Sequence, residues 1–244
     1  MKIDRLRGTR VKIDRADKHI ADFDAALTAF EKEGPYERLV ETDAAGIQKC
    51  TVRLTGPLPS DLVGSIGDAI HNLRSALDHL AFAVAETNGV SGNKLRKVSF
   101  TIRETKKDLK KALDEREISR IGAAWLGFVE TVEPYVGGSG EDLYAINVLD
   151  NIDKHRALIA IETQAQMFSV NERGEERVFG WSPLDRGATV SAFSDDPKIS
   201  TSLRPRVMFE ETCRGEPVRP VLDRFRKAVA RVLADAAGDP KLFP

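Results

Sequence analysis

The sequence lacks an excess of charge of either sign. Its 37 Lys and Arg nearly balance 38 Asp and Glu, for a net charge of -1. Nothing global therefore draws it to nucleic acid or to a membrane surface, and any anion site must be local. Cysteine is also scarce. Cys50 and Cys213 are the only two; they form no CxxC and have no metal-type spacing, as expected of a reduced cytoplasmic protein with two unrelated thiols. Long apolar runs are missing, so no bilayer-spanning segment is expected. The first ten residues, MKIDRLRGTR, carry charges where a signal peptide needs its apolar stretch. No repeat of 20–50 residues and no low-complexity tract is present. There is no Gly-x-Ser-x-Gly and no P-loop lysine, and the reading calls for no cofactor.

What is present is ordinary globular material, 41% hydrophobic and 31% charged over 244 residues. The pattern predicts a helix-dominated α+β protein: an antiparallel helical bundle with an inserted β-hairpin and a small C-terminal antiparallel sheet. It reads as a single domain, 1–244. Within it, 1–162 form the bundle with a hairpin at 36–55, 163–212 the small sheet and 213–244 a closing helix. Ala16, Ile20, Phe23, Leu27 and Phe30 mark a first helix over about 14–33. Asp43-Ala44-Ala45-Gly46 supplies the hairpin turn. Ser60 suits the N-cap of a helix over about 61–87. A stripe from Ile118 to Val132 predicts one helix across about 105–135. Another is expected over about 141–161, after the Gly137–Gly140 joint. Period-two patterning follows from Thr163 to Phe209, with turns at Glu172-Arg173-Gly174 and Ser194-Asp195-Asp196-Pro197. A last helix spans about 217–236.

The segment GDAIHNLRSALDHLA, Gly67 to Ala81, stands out. On a helical wheel Ile66, Ile70, Leu73, Leu77, Leu80 and Val84 make a core seam. The other side collects Asp68, His71, Asn72, Arg74, Ser75, Asp78 and His79. A merely solvated face would favour Glu, Lys, Gln and Arg; this face costs about 1–2 kcal/mol in helix propensity against such a choice. Something is expected to offset that cost. The helix at 141–161 has a matching oddity. Asp153 and Arg156 fall near Ile146, Leu149 and Ala160, which should face inward, and buried charges need partners. Arg74, Asp78 or a His of the 67–81 helix would serve, with Asn147, Asn151 and His155 adding polar groups.

Arg74-Ser75-Ala76-Leu77-Asp78-His79 is an R-x4-H sequence on a bundle helix, and it resembles the motif of HEPN-type helical bundles. That resemblance implies a metal-independent endoribonuclease or RNA-binding protein of toxin or defence type, active as a homodimer. It implies that Arg74 holds the scissile phosphate and that His79 acts as general acid or base on the ribose 2′-hydroxyl. Asp78, Asp153 and Arg156 would orient them, with Asp68, His71, Asn72 and His155 in support. Five residues separate Arg74 and His79 by about 7–8 Å along the axis and about 140° around it, so they would meet only across a two-fold axis. The family favours Asn, Asp or His directly after the Arg, where this chain has Ser75. More loosely, NLRSALDHLA and NIDKHR resemble uncharacterised bacterial proteins that carry both, which implies a shared fold.

Two further readings compete. The polar faces could form a non-catalytic network that fixes helix register or meets a partner. Alternatively, Asp68-x-x-His71 could begin a metal site of the kind found in helical bundles. The arginines nearby would repel a cation, and His71 and His79, about 12 Å apart along the helix, could not share one ion.

Overall fold

A computed structural model describes residues 4–42, 44, 48–156, 159, 161–170, 176–183, 189–190, 200–209, 212–213 and 215–243. The described chain is helix-dominated. Its elements in order are α1 (Arg7–Lys32), β1 (Tyr36–Thr42), β2 (Gln48–Leu54), α2 (Ser60–Thr87), α3 (Lys106–Leu113), α4 (Arg116–Ser119), α5 (Ala123–Val132), α6 (Glu141–Arg156), β3 (Ile161–Val170), β4 (Glu176–Pro183), β5 (Thr189–Val190), β6 (Ser200–Phe209) and α7 (Val218–Gly238). A 3₁₀ turn, Gly92–Lys97, follows α2. No helix among the described residues is long and apolar enough to cross a membrane.

Three expected helices change their limits. The first begins at Arg7, about two turns early, because Leu6, Thr9 and Ile13 extend its buried stripe through the basic N-terminal residues. The helix expected across 105–135 is three helices. Thr105 caps the first, accepting a hydrogen bond from the Asp108 N–H. The chain breaks again at Gly122, whose φ of 113° suits glycine far better than any other residue. Glu133, at φ 51°, ends α5 in the left-handed region. Finally, α6 stops at Arg156, and Ile161 already belongs to β3. The turns expected at 172–174 and 194–197 lie outside the described residues, as does most of the one at 43–46.

The described chain forms two compact units, each assembled from separated segments, whereas the sequence reading drew contiguous sub-regions in one domain. The first takes Met1–Phe23, Gly64–Ile159 and Pro220–Pro244; the second takes Asp24–Val63 and Ala160–Arg219. In the first unit α1 and α2 run antiparallel. Arg5 bonds Thr87, Lys12 bonds Asn72, and His19 faces Asp68. The core is built from Ile66, Ile70, Leu73, Leu77, Leu80 and Val84 of α2, all essentially inaccessible, with Trp125, Leu149 and Phe225 among their counterparts on other elements. Phe100 meets the Trp125 ring edge-on at 5.5 Å. Arg226 pairs α7 with Asp17 of α1, and Arg224 pairs it with Asp142 of α6.

In the second unit β1 and β2 pair antiparallel, Tyr36 opposite Leu54 through Thr42 opposite Gln48, and short β5 pairs with β2. β3 lies between β4 and β6, antiparallel to both. The Arg219 Nε donates to both carboxylate oxygens of Asp24 at 2.8 Å, and Phe30 meets Tyr36 edge-on.

Candidate functional site

With one face of α2 committed to the core, its polar residues divide among three neighbours, all within the first unit. Arg74 is the most enclosed of its charged residues, with 12% of the side chain exposed. Its Nε donates to Asn147 Oδ1 of α6 at 2.9 Å, its Nη1 to Asp78 Oδ1 at 2.6 Å, and its Nη2 to the Phe100 carbonyl at 3.2 Å. Asp78 Oδ1 also accepts the Phe100 N–H at 2.9 Å. One guanidinium thus ties three pieces of chain together: α2, α6 and the extended stretch after the 3₁₀ turn. A planar fork with five donors in fixed directions can satisfy acceptors this dispersed; an ammonium cannot reproduce that geometry.

One turn earlier, His71 meets α6. Its Nδ1 lies 2.9 Å from Asp150 Oδ1, and Lys154 reaches the other oxygen at 2.5 Å. Only 3% of the Asp150 side chain is exposed, so these two donors compensate a carboxylate withdrawn from water. A carboxylate only accepts, so Nδ1 carries the ring proton toward it, and Nε2 faces the Ser75 hydroxyl at 3.5 Å. Asp153, expected to pair with the charges of α2, lies against the backbone at Gly67, with His71 of α2 acting on its charge. A Cβ built there would stand 2.5 Å from Asp153 Oδ1. Burial, then the charges of Asp150 and Asp68, push the Asp153 carboxyl above its usual range, with His71 and Lys154 opposing.

Asp68 and Asn72 turn toward α1. Asn72 donates to the Asp68 carbonyl and accepts from Lys12, while Asp68 stays largely exposed, 3.8 Å from His19. The structure therefore sends Asp68 and His71 to different partners. Among the described residues, no group of three or more His, Cys, Asp or Glu is placed to hold a metal ion. His155 and Arg156 end α6, and their side chains lie outside the described residues.

Arg74 and His79 do not meet. His79 is exposed, and its Nδ1 edge stands over Gly8 of α1, where a Cβ would lie 2.8 Å away. His79 also borders an open hollow of about 300 Å³, lined by Asp78, Phe82, Leu95, Arg96 and Val98 as well. Sequence reasoning missed Asp150, Phe82 and Arg96 among the participants. Asp150 was hidden among the acids and amides of NVLDNID, although its four-residue spacing from Lys154 is an ion-pair signal. Phe82 and Arg96 gave no sign of sharing a surface, since one is helical and the other lies beyond a turn.

Comparison of the chain with family models, with curated proteins and with solved structures gives no match.

Proposed function

We propose that the protein is a non-catalytic binding or assembly module. Its first unit is an antiparallel helical bundle whose polar α2 face fixes helix register and holds a neighbouring surface in shape. The observation that carries this reading is the use of Arg74. Each of the three guanidinium nitrogens donates to an acceptor of the same chain, which engages three of the five N–H groups and fixes the fork's direction. A phosphate-holding arginine needs its fork free to face the ligand. The His71–Asp150–Lys154 group has the same character: a buried carboxylate met by two donors across two helices. Such networks specify which helix faces meet.

One observation favours a second reading, the HEPN-like ribonuclease acting on RNA as a homodimer. His79 is exposed and borders an open hollow that also contains a cation, Arg96. An imidazole in that setting suits proton transfer from a 2′-hydroxyl.

Incubation of single-stranded RNA with the purified protein in chelator, together with the melting temperature of Arg74→Met, separates the two readings. The module reading expects intact RNA and a lowered melting temperature. RNA cut to 2′,3′-cyclic phosphate ends, with cutting lost in His79→Ala and melting unchanged in Arg74→Met, overturns it.

A further inference from the structure

The hollow beside His79 has the composition of a ligand site. Phe82, one turn past His79 on α2, is 39% exposed. Leu95 and Val98 join it, so the hollow combines apolar walls with a few polar groups, Asp78, His79 and Arg96. Its volume of about 300 Å³ is at the lower end of the range for small-molecule pockets, about 300–1,000 Å³, and that mixture is typical of them.

The charges on the wall select among ligands. Asp78 is already met by Arg74 and by the Phe100 N–H, and its ion pair with Arg74 is neutral as a unit. The Arg96 side chain is exposed and makes no hydrogen bond or ion pair to another described residue. It is the uncompensated cation of the wall. With its Nδ1 edge against Gly8, the His79 ring turns Nε2 away from α1. One guanidinium fork beside a paired carboxylate matches one negative charge. A dianion would leave a charge facing Asp78 without a partner.

We infer that this hollow binds a monoanionic carboxylate with an apolar body, the carboxylate on Arg96 and the body against Phe82, Leu95 and Val98. The inference rests on the binding-module reading and names the ligand class of that module.

The test is a titration of the ¹⁵N-labelled full chain, followed by backbone amide shifts. The probes are phenylacetate and hexanoate, their uncharged amides, and phenyl phosphate. Both acids should shift the amides of Phe82, Leu95 and Val98 saturably. Each amide should bind roughly tenfold more weakly, the loss of one charge-assisted contact. Arg96→Gln, at an exposed position, should melt like the parent, weaken the acids by the same factor and leave the amides unaffected. Absence of shifts with both acids, equal binding of acid and amide, unchanged acid binding in Arg96→Gln, or tighter binding of phenyl phosphate than of phenylacetate overturns the inference. Failure here with early melting of Arg74→Met removes the ligand class and leaves the network reading standing. Cleaved RNA with unchanged melting removes the module reading itself.

Discussion

Replacing Arg74 with methionine keeps much of the apolar stem and removes every donor. The bond to Asp78 is short and charge-assisted, worth about 1.5–3 kcal/mol in a buried setting. The Asp78 side chain is 39% exposed, and solvent screening reduces that to about 1 kcal/mol. The bond to Asn147 contributes about 1 kcal/mol and the longer one to the Phe100 carbonyl somewhat less. The expected loss is about 2–3 kcal/mol, and in a chain of this size each kcal/mol moves the melting temperature by roughly 2–4 °C. Arg74→Met should therefore melt about 4–12 °C below its parent. Trp125 is fully buried in the same unit and is one of two tryptophans. Its fluorescence in a Trp181→Phe background reports the unit directly. Asp78→Asn on top of Arg74→Met should cost less than it does alone, with a coupling of about 1 kcal/mol. A parent-like transition in Arg74→Met, within 1 °C or so of the unmutated value, would show that the guanidinium's bonds stabilise nothing.

Two further outcomes follow from the contact between α2 and α6. Gly67→Ala in an ordinary helix would stabilise by about 1 kcal/mol, but the new Cβ meets the Asp153 carboxylate, which must turn aside, so the gain should shrink and return in full in Gly67→Ala/Asp153→Ala; an equal gain with and without the Asp153 carboxylate would contradict the close approach. The Asp153 carboxyl is raised by burial and by its acidic neighbours, so the folded state holds its proton at pH values where the unfolded chain has released it. Its contribution to stability then falls as pH rises from the usual carboxylate range through the raised value. Asp153→Asn should raise the melting temperature at pH 7 and lose that advantage as the pH approaches 4; an equal advantage at both pH values, or a lower melting temperature at pH 7, would contradict the shift.

The α2 seam was legible because six apolar residues repeat at helical spacing and nothing interrupts them. The polar face behind it was legible as unusual, since Asp, Asn, Ser and His are poor choices for a solvated helix. Its partners were not legible. Arg74 bonds Phe100 and Asn147, 26 and 73 residues away, and no local periodicity encodes such pairings. The surroundings of Asp153 were legible only in part. The wheel put its charge on the inward side and offered a His of α2 as counter-charge; His71 does act on it, but its nearest approach is to the backbone at Gly67. Gly67 itself was an unread signal, because a glycine inside a helix is costly unless something approaches closely. The helix expected across 105–135 failed because its apolar stripe continues through the breaks. Gly122 is tolerable in a helix, and only its φ of 113° shows that the chain turns there.

Exchange of the Arg74 Nε proton with water, read from the arginine side-chain signals of the ¹⁵N-labelled chain, tests the inward commitment of this guanidinium most directly. Arg74 Nε donates that proton to Asn147 Oδ1, so it should exchange far more slowly than that of exposed Arg96 and should not shift when inorganic phosphate is added. Exchange as fast as Arg96, or a saturable shift with phosphate, would mean that Arg74 faces solvent and is available to a substrate.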